Sequence, residues 1–137
     1  MIAFASYAES GMELEDLAAE QFCYLTTIGR VTGRPHTIEI WFALEGRTAY
    51  LLSGGGRRSD WVRNLIHTPE VTLRLGAETV SGRARVVSDT SEDERARGLV
   101  HDKYRLGYGG DLTRWRRSSL PVAVDLADPA PRTSATT

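Results

Sequence analysis

Hydrophobic and polar positions change period several times along this chain, and each change marks an element. From Glu13 to Gln21, Leu14, Leu17 and Ala18 share one helical face while Glu13, Glu15, Asp16 and Glu20 face water. Phe22 to Ile28 is aromatic and β-branched and reads as a strand, ended by the turn Gly29-Arg30-Val31-Thr32-Gly33-Arg34 and by Pro35, which holds Arg34 extended. His36 to Leu44 shows the clearest alternation. His36, Ile38, Ile40, Phe42 and Leu44 point one way, and Thr37, Glu39, Trp41 and Ala43 the other. Glu45-Gly46-Arg47 turns the chain into Thr48 to Leu52, completing a three-stranded meander. A loop, Ser53-Gly54-Gly55-Gly56-Arg57-Arg58-Ser59, leads into a short helix from Asp60 to His67, capped by Ser59 or Asp60.

Glu70 to Leu75 and Glu78 to Val87 predict a second hairpin. Ser91 opens a helix to about Tyr104 with Glu94 completing a capping box, and Leu120 to Leu126 is a last strand. Residues 127–137 are Pro, Ser, Thr and Ala without a period and read as a disordered tail. The fold class is therefore mainly β with flanking helices (α+β). Six antiparallel strands around one core favour a closed or partly open barrel, and the absence of βαβ order argues against a Rossmann sheet.

Composition narrows the function. The 137 residues suit one domain, with residues 1–12 as an N-terminal extension and 13–126 as the folded body. A formal net charge of −1 gives no global field to recruit nucleic acid or an anionic membrane. The N-terminus lacks the basic start and long apolar run of a signal peptide, and no stretch approaches a membrane span, so a cytoplasmic protein without membrane insertion is expected. Cys23 is the single cysteine, so no disulfide forms within the chain, and its apolar setting suggests an inert buried thiol. Sixteen of the seventeen basic residues are Arg, with Lys103 the exception.

Candidate chemistry sits in two loops and a set of aromatics. Glycines followed at once by a helix start, with Arg57 and Arg58 beside them, form a recipe for anion binding, and no Gly-Lys-Ser/Thr makes it a Walker loop. Arg30, Arg34 and His36 gather at the first turn, and in a small barrel both loops can converge on one rim for a phosphate-bearing ligand. Trp41 is either a ring-stacking wall or a subunit contact; Trp61, Tyr104, Tyr108 and Trp115 are further ring candidates. His36, His67 and His101 show no metal-ligand spacing, Ser53 has no triad pattern, and Arg114 to Arg117 reads as a solvated loop. A protein with neither nucleophile nor metal borrows its chemistry from a cofactor.

The ordered motifs Tyr24-Leu25-Thr26-Thr27-Ile28-Gly29-Arg30-Val31-Thr32-Gly33-Arg34-Pro35, Ile38 to Phe42, Leu52 to Gly56, Asp60 to Leu65, Pro69-Glu70-Val71, Gly82 to Val87, Lys103-Tyr104 and Leu120 to Asp125 resemble the deazaflavin-dependent nitroreductase and quinone reductase family of actinobacteria. The resemblance implies a six-stranded antiparallel split β-barrel of the flavin-reductase and pyridoxamine-phosphate-oxidase type. It also implies coenzyme F420 as hydride donor, and a quinone, nitro compound or activated enone as acceptor. Mapped onto this chain it puts the cofactor against Arg30, Thr32, Gly33, Arg34, His36, Thr37, Ser53, Gly54, Gly55, Arg57, Arg58 and Trp61, with the ring near Trp41. Ser53, Tyr104 or Tyr108 would hydrogen-bond the acceptor or relay a proton. Where these relatives commonly carry a lysine the chain has Val31, whose missing phosphate contact Arg57 or Arg58 would supply. An FMN-dependent reductase or oxidase on the same fold and a non-catalytic cofactor or lipid carrier are the rival readings, and the partners are a small-molecule acceptor and, at most, a second copy.

Overall fold

A computed structural model describes residues 14–127, so the extension and nearly all of the tail lie outside the described residues. Seven strands form one sheet: β1 (Cys23–Ile28), β2 (Pro35–Ile40), β3 (Ala43–Glu45), β4 (Thr48–Ser53), β5 (Glu70–Leu75), β6 (Glu78–Val86) and β7 (Leu120–Leu126). Every pairing is antiparallel, in the spatial order β2-β1-β5-β6-β7-β4-β3. The helices are α1 (Asp60–His67), α2 (Thr90–Tyr108) and α3 (Thr113–Ser118), and Leu14–Ala19 and Gly56–Arg58 form 3₁₀ turns.

The strand order dictates the shape. The sheet's two edges, β2 and β3, are consecutive in the chain and joined by Trp41 and Phe42 alone. Six inter-strand steps laid flat would separate them by about 29 Å, yet Ile40 and Ala43 lie three residues apart and so within about 11 Å. The sheet must curl into a nearly closed barrel whose last gap is bridged by covalent chain instead of a ladder. The expected six strands become seven because the stretch from His36 to Leu44 breaks at this corner, and the expected meander is absent: β2 pairs with β1, β3 with β4. The alternation nevertheless runs through the break. Phe42 and Leu44 join Ile38 and Ile40 at the barrel core, while Trp41 and Ala43 join the outer cluster.

Cys23, Leu25, Leu51, Leu73, Val80, Val122 and Val124 fill the barrel, all fully buried, and Val62 and Leu65 of α1 pack into the same core. Curling brings backbone close to side chain at Gly82, where a Cβ would stand 2.6 Å from Val124 Cγ1 and 3.1 Å from the Asp125 carbonyl. Outside the barrel, α2 lays Ala96, Val100 and Tyr104 on Tyr50, Leu52 and Ala123. This helix starts one residue before the expected capping box, because Asp89 and not Ser91 caps it, accepting from the Glu92 backbone N–H at 2.9 Å. It ends at Gly109 in the left-handed region (φ 84°). Arg85 fastens its first turn by binding both Glu92 and Asp125, and that contact first, with the Tyr50 hydroxyl second, lowers the Glu92 carboxyl to about 2. Residues Arg114 to Arg117, expected as loop, belong to α3. No described helix is long and apolar enough to cross a membrane.

The corner leaves the Phe42 backbone without ladder partners, and α2 supplies them. Phe42 N–H donates to the Tyr104 hydroxyl at 3.0 Å, and Lys103 Nζ donates to the Phe42 carbonyl at 3.0 Å and the Glu20 carbonyl at 2.9 Å. Tyr104 Oη lies 2.9 Å from the Gln21 carbonyl, to which it donates. Tyr104→Phe strands a buried amide, and a loss of about 1–3 kcal/mol is expected in denaturant unfolding. Cys23 gives a pH test. Burial pushes its thiol from 9.0 up to about 12. Between those values the unfolded chain has lost a proton that the folded chain keeps, so stability falls as pH rises, by at most about 1.4 kcal/mol per unit. Urea midpoints followed from pH 8 to 11 should decline less steeply in Cys23→Ala than in the parent.

Candidate functional site

Two grooves border the edge strand β2 at successive positions: Thr37 and Ile38 line the first, Glu39 and Ile40 the second. The first, of about 440 Å³, lies between the β1–β2 turn and α1, and collects Arg30, Thr32, His36, Thr37 and Trp61 of the expected cofactor contacts. Gly29 donates to the Arg34 carbonyl at 2.7 Å and accepts from Gly33 at 2.8 Å, and Gly33 takes a positive φ of 76° to close the turn. The His36 ring folds over Gly29 so closely that a Cβ there would sit 2.7 Å from Nε2. A side chain at position 29 would displace the His36 ring from its present place over the turn.

Arg30 is held before any ligand arrives. Asn64, 4 % exposed on α1, accepts from the Arg30 backbone at 3.1 Å and from Nη1 at 2.9 Å, and donates to Thr27 Oγ1 at 3.2 Å. Asp60 accepts from Arg30 Nη2 at 3.2 Å. Asn64 had no assigned role in the sequence reading, although an amide between Val62 and Leu65 on the buried face of a helix is a signal that can be read. The donor set suits the phosphate of a cofactor: one oriented guanidinium, Thr32 and Thr37 hydroxyls and an imidazole around an open concavity.

The glycine loop behaves differently from expectation. Ser53 is 1 % exposed, donates to the Gly56 carbonyl at 3.0 Å and meets Ser59 Oγ at 2.9 Å; it pins the loop and faces neither groove. Gly54 lies beside Trp115, and Gly55, Arg57 and Arg58 line neither groove, nor do Gly33 and Arg34. The two loops meet through Arg30, Asp60 and Asn64, not through Arg57 and Arg58.

The second groove, about 460 Å³, is aromatic. Trp41 stacks on Tyr104 with centroids 4.2 Å apart and planes 4° apart, and meets Trp115 and Tyr108 edge-on at 5.6 and 5.9 Å. Tyr104 is buried, its hydroxyl spent on the corner and raised to about 12 by burial, so it supports the wall and is closed to an acceptor. Of the three proposed acceptor-binding hydroxyls, Tyr108 alone lines the groove.

Residues 3–127 match the family model for F420H(2)-dependent quinone reductases. Among solved structures, an F420 reductase is 16 % identical over 83 % of this chain and 93 % of its own, with a TM-score of 0.59. An F420-H2 dependent reductase, FDR-A, is 17 % identical over 78 % and 94 %, with a TM-score of 0.62. A Listeria innocua protein named as a candidate pyridoxamine 5′-phosphate oxidase is 21 % identical over 85 % and 95 %, with a TM-score of 0.61. At these identities the likeness is one of fold, the split β-barrel.

Asn64→Leu keeps the branched side-chain shape and strips Arg30 and Thr27 of their buried partner. Stability should fall by about 1–3 kcal/mol, read as a lower denaturation midpoint.

Proposed function

The chain belongs to the F420H(2)-dependent quinone reductase family, and we propose that it transfers a hydride from reduced F420 to a small planar acceptor such as a quinone, a nitro compound or an activated enone. The observation that carries this reading is the succession of a phosphate-suited groove and an aromatic groove along one strand edge, which matches a ligand polar at one end and planar at the other. Arg30, Thr32, His36 and Thr37 would hold the phosphate end, and Trp61 would close that groove on the α1 side. Arg34, Arg57 and Arg58 are exposed and would be available to a polyanionic tail.

When bound, reduced F420 supplies the hydride. The chain's residues supply position and environment. Asn64 and Asp60 fix the Arg30 guanidinium in advance, so little ordering remains to be done on binding. Trp41, backed by Tyr104, offers a fixed plane, and Leu52 and Leu112 add apolar surface to that groove. Tyr108, which lines this groove, would hydrogen-bond an acceptor oxygen that gains charge and takes up a proton.

F420 should bind at least tenfold more tightly than FMN in equilibrium titrations, and Arg30→Ala should weaken F420 binding by tenfold or more, with a larger loss at low salt. Equal affinities, or tighter FMN, would overturn the deazaflavin reading and leave the fold untouched. Anaerobic mixing of the F420H2-loaded protein with menadione then reads turnover directly.

A further inference from the structure

Two consecutive residues of α2 hold open the end of the β1–β2 ribbon that borders the aromatic groove. The last pair of that ribbon is Cys23 with Ile40. Continued by one residue, the same register would set Phe22 opposite Trp41, on the face turned away from the barrel core. Neither residue belongs to a strand, and both line the groove. Past Cys23 and Ile40 the two chain segments part, and α2 bridges them. Lys103 Nζ donates to the Glu20 carbonyl at 2.9 Å on one side and to the Phe42 carbonyl at 3.0 Å on the other. The Tyr104 hydroxyl donates to the Gln21 carbonyl at 2.9 Å and accepts from the Phe42 N–H at 3.0 Å. Each side is therefore tied down next to a groove ring: Glu20 and Gln21 just before Phe22, Phe42 just after Trp41.

The separation of those two rings follows from the reach of these bonds, since no ladder spans the gap. Tyr104 also stacks on Trp41, whereas Lys103 does not line the groove and acts on it only through the backbone. Its ammonium lies 3.6 Å from the centre of the Phe42 ring and 5.2 Å from that of Tyr104, which fixes it between the two carbonyls. We infer that Lys103 is a positioning residue of the aromatic groove: by tying the Glu20 and Phe42 carbonyls together it sets the spacing of Phe22 and Trp41, and through that spacing the affinity for a planar, uncharged acceptor. This deepens the proposed reduction and rests on it only in calling the ligand an acceptor.

The clamp titrates, which a purely structural side chain would not. Burial lowers the Lys103 amine to about 8. The groups facing it are the Cys23 thiol on β1, Glu20 beyond the first 3₁₀ turn and the Tyr104 hydroxyl on its own helix. Cys23 and Tyr104, both pushed up to about 12 by burial, keep their protons from about pH 7 to about pH 9.5. Across that range Lys103 passes from ammonium to amine. Its two bonds lose their charge assistance, which roughly doubles the strength of such a bond, and the Phe42 ring loses its cation. Acceptor affinity is then full below the amine's range and falls as pH rises through it.

The probe is 2,3-dimethyl-1,4-naphthoquinone, which is uncharged and has no free quinone position for a thiol to attack. It is titrated into the full chain without F420, with tryptophan quenching as the readout. At about pH 7, Lys103→Met should bind it at least tenfold more weakly than the parent while keeping a cooperative thermal transition. From about pH 7 to about pH 9.5 the parent's affinity should drop at least threefold. Lys103→Arg, charged throughout, and Lys103→Met, uncharged throughout, should show no such drop. Probe binding by Lys103→Met within about threefold of the parent, a flat parent profile, or a drop that persists in either variant would each overturn the inference. Should the variants not fold, the parent's pH profile decides alone. F420 affinity and turnover, measured separately, report on the proposed function whatever this series shows.

Discussion

A two-residue link governs this fold. Because Trp41 and Phe42 alone span the interval between the two edges of a seven-stranded sheet, the sheet has no flat solution, and the edges are brought together without being hydrogen-bonded to each other. The cost of that closure falls on the Phe42 backbone, whose N–H and C=O would be buried and unpaired. Tyr104 and Lys103, neighbours on α2, absorb it. The same helix thereby becomes obligatory for the barrel and for the aromatic groove, since the Tyr104 ring that delivers the hydroxyl also backs Trp41. Lys103 accepts a burial that holds its amine down to about 8, and its ammonium lies 3.6 Å from the centre of the Phe42 ring.

How much of this could be read from the chain depends on which quantity recorded it. Side-chain alternation records faces, and the two faces of residues 36–44 were legible, Trp41 and Ala43 outward and Phe42 and Leu44 inward. It does not record which strand receives the hydrogen bonds, so the break at Trp41 and the loss of the meander left no trace in the pattern. The α2 cap moved by two residues, from Ser91 to Asp89, because both are competent caps, and only the backbone path selects between them. The α3 helix has an apolar residue, Leu112, at its N-cap position and only six residues, which leaves little signal above a basic loop. At the site, Arg30, Thr32, His36, Thr37 and Trp61 come together around one groove. Ser53 looked available as a hydroxyl beside three glycines, and becomes inaccessible because the loop folds over it. Asn64 joins a turn 34 residues earlier in the chain, a distance that no local pattern reaches.

The two grooves divide their electrostatics. The first sets a guanidinium and an imidazole among hydroxyls, with Asp60 tempering the charge of Arg30; the second sets carboxylates among rings. Opposite charge at the two ends of one strand edge would favour one orientation of a ligand anionic at a single end, because the reversed pose would put its anionic groups against Glu39 and Asp111.

The position of β7 bears on how the protein is made. This strand is the last element of the described chain, yet it lies between β4 and β6, with Thr48 paired to Asp125 across 77 residues of sequence. During vectorial synthesis, β4 and β6 emerge with their facing edges bare and stay so until residue 126 has cleared the ribosome exit tunnel. At about 5–20 residues per second, the stretch from Val86 to Leu126 takes roughly 2–8 s. Over that window the nascent chain exposes two unpaired edges, β4 with Leu51 and Leu52 and β6 with Val80 and Val86, the interval in which a chaperone or a second nascent chain has access to them.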